Sequence, residues 1–150
     1  MNIAENISRI KSEIPTHIAL VAVSKTKPVE AILEAYRAGH KIFGENKVQE
    51  MIEKYPALPK DIEWHHIGHL QTNKVKYIAP FVKLIHAVDS LKLLTEINKE
   101  AIKNNRVINC LLQIHIAREE TKFGLSFDEA EQILGSEELD RKSTRLNSSH

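Results

Sequence analysis

The stretch Leu20-Val21-Ala22-Val23-Ser24-Lys25-Thr26-Lys27-Pro28 decides how this chain is built. It opens as an apolar, β-branched run, the composition of a strand. It closes on a proline, whose fixed φ and missing amide suit the start of a helix. Over 17–24, Ala19, Val21, Val23 and then Lys25 fall on one face, and Ile18, Leu20, Ala22 and Ser24 on the other. Both faces are largely apolar, which marks a strand of a parallel sheet covered on both sides. Lys25 stands at the C-terminal tip of that strand, the end where α/β proteins place their chemistry.

Working outward, the same unit recurs. Ile3, Ile7, Ile10 and Ile14 make a helical stripe that Pro15 stops. Past Pro28, Ile32, Leu33 and Tyr36 line a helix with Gly39 beyond its end. A short strand at 41–43 precedes Gly44-Glu45-Asn46 and a helix over about 47–55. A third strand spans 63–67, turning at Gly68-His69 into a helix over about 70–79. A fourth strand, 84–88, leads to a helix capped by Ser90 with Leu94, Ile97 and Ala101 inward. A fifth strand, 107–116, is followed by the loop 117–124. A capping box, Ser126 with Glu129, then starts a helix ending before Gly135.

Strands alternating with helices require a parallel sheet with helical crossovers. Two architectures do this: an open doubly wound sheet and a (β/α)8 barrel. A barrel needs eight units and about 250 residues. With 150 residues, about the first five units of one are expected. Residues 141–150 continue no periodicity and carry three cations and no acid, so they are read as a non-native or disordered tail outside the 1–140 domain.

Apolar residues make up 42% of the chain and charged ones 27%, the balance of a folded domain. Without the tail, 18 Lys and Arg stand against 20 Asp and Glu. No bulk charge drives binding to nucleic acid or anionic membrane. No apolar run approaches the roughly 20 residues of a membrane helix, and the N-terminus lacks a signal-peptide pattern. The lone Cys110 lies in an apolar run and reads as a buried thiol in a reducing compartment. A cytoplasmic location is expected.

Polar and small residues follow each strand: Ser24, Lys25 and Thr26; Glu45 and Asn46; Gly68, His69, Gln71 and Asn73; Asp89 and Ser90; Arg118, Glu119, Thr121 and Lys122. A parallel sheet gathers them at one end. Lys25 is then either a solvated strand end or an amine held in a pocket. In a barrel mouth, desolvation disfavours the charged form and leaves an amine able to attack an aldehyde or keto group. His65, His66 and His69 look like metal ligands, but adjacent strand residues face opposite ways, so no metal site is expected. No Gly-x-Gly-x-x-Gly or Gly-Lys-Ser/Thr phosphate loop occurs.

Three motifs occur in order: Ala22-Val-Ser-Lys-Thr-Lys-Pro28, Phe43-Gly-Glu-Asn-Lys-Val-Gln-Glu50 and His66-Ile-Gly-His-Leu-Gln-Thr-Asn-Lys74. Together with Val88-Asp-Ser90 and Thr121-Lys-Phe-Gly124 they resemble the YggS/PLPBP family of pyridoxal-phosphate homeostasis proteins, over residues 1–140. The resemblance implies a type III pyridoxal-phosphate barrel similar to the N-terminal domain of alanine racemase. It implies that Lys25 holds the cofactor as an internal aldimine. It places Asn46 beside the ring, His66 and the turn from Gly68 to Asn73 as a neighbouring wall, and Lys122 at a position of secondary cofactor binding.

It also implies a carrier without turnover, with pyridoxal phosphate and the apo-forms of enzymes that use it as partners, monomeric at full length. A racemase or decarboxylase of the same fold is the alternative. Family members exceed 200 residues, so the phosphate grip is expected in a segment absent here. Weak cofactor binding follows, as does self-association through an open apolar edge at Cys110–Ile114.

Overall fold

The computed structural model describes residues 2–116, 124–135 and 144–147. Helix α1 (Ile3–Glu13) is capped by the Asn2 side chain, which accepts from the Glu5 amide at 2.8 Å. There follow β1 (Ala22–Val23), α2 (Val29–Arg37), β2 (Ile42–Glu45), α3 (Val48–Lys54), β3 (Glu63–His66), α4 (Val75–Ile78), β4 (Leu84–Val88), α5 (Leu91–Lys103), β5 (Ile108–Leu112), α6 (Phe127–Leu134) and β6 (Thr144–Asn147). Short 3-10 turns at Tyr55–Ala57 and Thr72–Lys74 join them.

The six strands pair in sequence order and every pairing is parallel. A doubly wound sheet reverses its strand order at a switch point. Unbroken order is that of a (β/α) barrel, here in part, with β1 and β6 at its two edges.

Register sets which residues share a face. Phe43 lies opposite Trp64, and Ile85 opposite Cys110. Together with Ile108 these turn toward the helices and are essentially inaccessible. They meet Ile32, Met51, Ile78, Leu94 and Ile97 from α2, α3, α4 and α5 in one apolar core. Val23, Gly44, His65, Leu84 and Asn109 form the opposite face by alternation. Among the described residues no helix covers that face, and Val23 is 54% exposed.

Several elements are shorter than their sequence patterns. The strand expected over 17–24 pairs only at Ala22–Val23, because β1 has a neighbour on one side alone. The helix expected over 70–79 is a 3-10 turn followed by the single turn of α4. Ser90 caps α5 through the Leu93 amide at 3.1 Å, and the Ser126–Glu129 capping box opens α6.

Part of the stretch set aside as a tail belongs to the sheet. Thr144–Asn147 pairs with Ile108–Leu111 in register. Unpaired amides and carbonyls on β5 offer a ladder to any extended segment alongside. The apolar edge expected to stay open at β5 is therefore covered over those residues, and Cys110 is buried, its thiol pushed up to about 12 by desolvation.

Candidate functional site

The C-terminal end of β1 runs into a tight turn, Ser24-Lys25-Thr26-Lys27. The Lys27 amide closes it by donating to the Ser24 carbonyl at 3.0 Å. Thr26, third in the turn, has φ 63. A type II turn requires positive φ there, which favours glycine; for a β-branched residue it is strained. Lys25, second in the turn, is exposed. The desolvation expected for it from the strand pattern is therefore not present. The strand ends before it, at Val23.

What holds the turn is buried beneath it. Ser24 is 4% exposed; its amide donates to the Gly44 carbonyl at 2.9 Å and its hydroxyl to the Glu45 carboxylate. Lys54 is 7% exposed. Its ammonium donates to the Ser24 carbonyl at 2.7 Å, to both Glu45 oxygens at 3.1 and 3.0 Å, and to Glu50 at 3.2 Å. Glu50 in turn accepts the Thr26 amide on both carboxylate oxygens, each at 2.9 Å.

Burial pushes the Glu45 carboxyl up, against the Ser24 hydroxyl and the Lys54 ammonium, which pull it down. The Thr26 amide holds Glu50 below the usual carboxylate range. Sequence reading placed Glu45 at a strand end but missed Lys54. The available signal was the Glu50–Lys54 pair four residues apart on one helix.

At the next strand ends, Asn46 and Gly68 meet. A Cβ on Gly68 would lie 2.8 Å from the Asn46 carbonyl and 3.1 Å from its Cα. These two expected site residues are thus brought together, and the contact requires glycine.

The two adjacent histidines part company. His65 is on the open face, its Nδ1 3.0 Å from Nε2 of His86. His66 pairs in register with Glu45, on the helix-covered face, and is fully buried. Its ring lies against the Gly68 backbone. Burial pulls both His65 and His66 down to about 4. Register thus places His66 on the helix-covered face, beside the Gly68 with which it was expected to share a wall, and His65 on the open face.

Farther along the same end, His69 Nδ1 lies 3.2 Å from Asp89. They border a cleft of about 530 Å³ with Gln71, Thr72, Asn73, Ser90 and Lys92. Lys122 lies outside the described residues. Among those described, no three His, Cys, Asp or Glu side chains converge as metal ligands, and no helix is long and apolar enough to cross a membrane.

The sequence profile described as "Alanine racemase, N-terminal domain" matches residues 1–145. The chain is 42% identical over 144 residues to the pyridoxal phosphate homeostasis protein of Aquifex aeolicus, covering 89% of this chain and 63% of that one. It spans about three fifths of the length of the curated relatives it matches.

Among solved structures it superposes on PipY of Synechococcus elongatus without pyridoxal phosphate at TM-score 0.91. That match is 33% identical and covers 97% of this chain and 68% of PipY. The form of PipY with pyridoxal phosphate bound gives TM-score 0.85 at 32% identity, covering 99% and 71%. Alanine racemase of Clostridium difficile, 16% identical at TM-score 0.76, covers 98% of this chain and 39% of the racemase; it shares the fold.

Proposed function

The chain belongs to the alanine racemase N-terminal domain family, on the side of its pyridoxal-phosphate homeostasis members, and we propose that it carries the lysine-bearing part of a pyridoxal-phosphate site. The observation behind this reading is the position of Lys25. It is an exposed amine at the C-terminal end of a parallel strand, in a turn bonded on both sides.

Pyridoxal phosphate supplies an aldehyde. Its condensation with an amine forms a C=N bond and releases one water. Lys25 offers the amine. Asn46 and Gly68 close the neighbouring strand ends, packed so tightly that a Cβ on Gly68 would meet the Asn46 backbone. His65 and His86 pair on the open face, held neutral by burial.

The role is storage and delivery without turnover, in the cytoplasm, with apo-enzymes that use the cofactor as recipients. Racemisation needs a group to take a proton from the substrate and another to return it. A racemase or decarboxylase is the alternative, and exchange of the α-proton of amino acids in deuterated water separates the two.

The direct test is spectral titration of the 150-residue chain with pyridoxal phosphate, then borohydride reduction and peptide mapping. Weak binding with the tag on Lys25, lost in Lys25→Ala, is the expected result. Tight micromolar binding would show that residues 2–147 hold the phosphate group unaided. A tag spread evenly over surface lysines would overturn the assignment of Lys25.

A further inference from the structure

We propose that Glu50, anchored by buried Lys54, is a positioning residue that sets the direction in which Lys25 leaves its turn. This rests on the reading of Lys25 as the cofactor amine.

A β-branched residue at φ 63 is costly and persists only where its surroundings over-determine it. Here the only side chain bonded to the Thr26 amide among the described residues is Glu50, through both oxygens. A carboxylate free to rotate would hold nothing. Glu50 is kept in place from below by Lys54, which also grips the Ser24 carbonyl on the other side of Lys25. One buried ammonium thus ties down the residue before Lys25 directly and the residue after it through Glu50. Glu45 balances the charge of that ammonium, and Ser24 adds its hydroxyl to the same carboxylate. Lys25 takes no part in this network, and its side chain is left exposed. A rigid base under a free amine lowers the entropy lost when that amine is captured.

Glu50 can be changed without emptying the core, because its side chain is 24% exposed while Lys54 keeps Glu45 as a partner. The chain is incubated with a concentration series of pyridoxal phosphate, reduced with borohydride and mapped. The half-saturating concentration at Lys25 is compared with those at Lys11 and Lys76, exposed lysines on α1 and α4.

In the unaltered chain Lys25 should be tagged at a concentration at least tenfold below the reference lysines. Glu50→Ala should shrink that preference at least fivefold, with the reference lysines unmoved and the Thr26 amide exchanging faster. Glu50→Gln keeps one acceptor for Thr26 and should shrink it about twofold. Glu53→Ala, one turn along and accepting from exposed Gln49, should leave it intact. A loss of stability alone would move all lysines together.

An undiminished preference in Glu50→Ala overturns the positioning role. Should that variant fail to fold, an undiminished preference in Glu50→Gln overturns it equally. Absence of any preference in the unaltered chain overturns the underlying assignment of Lys25 instead.

Discussion

Neighbouring residues on the same strands meet opposite surroundings. Phe43 and Trp64 turn toward the helices and are 1% exposed; one residue earlier on β2 and one later on β3, Ile42 and His65 face the other way. The helix-covered face is a continuous apolar core broken only by bonded or desolvated polar groups. The open face packs locally around Gly44, where a Cβ would come within 3.0 Å of both Val21 and Ile67, and at the His65–His86 pair. Elsewhere it is half-exposed. One face carries the stability and the other is left for chemistry. The turn that holds Lys25 draws on both, since its buried supports sit among the helices while the amine does not.

Truncations test the contrast most severely. Trp64→Ala on the covered face should cost about 3–5 kcal/mol in urea unfolding, the range for emptying an aromatic core site. Equal losses from both faces would mean the open face is as well packed as the core. Lys54→Ala should cost about 3 kcal/mol, since Glu45 would remain buried without its counter-charge. Lys54→Met with Glu45→Leu should recover most of that loss.

The histidines add a pH dependence that samples one residue from each face. His65 and His66 are held at about 4 by burial, whereas an unfolded histidine titrates near 6.5. The unfolded chain then binds more protons, so stability falls as pH drops through the window from about 6.5 to about 4. Between pH 6.5 and 5 the loss should be about 2 kcal/mol per ring. The raised Glu45 carboxyl works in the opposite sense at the acid end. Urea midpoints of His65→Leu and His66→Leu at pH 7 and pH 5 should each show a reduced slope.

Gly68→Ala should cost about 1–2 kcal/mol by thermal melting, because the Asn46 backbone must shift to admit the methyl group. Val23→Thr, on the open face, should change stability by less than about 0.5 kcal/mol. A larger loss there would show that something covers β1.

Strand and helix identity was legible because burial on two faces imposes continuous apolar runs and burial on one imposes a 3.6-residue stripe. Boundaries were less so: Ala19–Val21 has strand composition but no partner strand on its outer side to ladder with. Lys25, Asn46 and Gly68 were legible as residues that follow strands. Lys54 was not, because it ends a helix and only the packing of α3 against β2 turns its ammonium under Ser24.

The sequence by itself determined the alternation, the end of the sheet where polar residues gather, and the lysine among them, since periodicity and strand direction are local properties. Only the tertiary structure decided the unbroken strand order, which of two adjacent histidines lies on the helix-covered face, the capture of Thr144–Asn147 by β5, and the buried Lys54 beneath the turn. Each of these depends on register or on contacts between residues distant along the chain, and local composition carries no record of either.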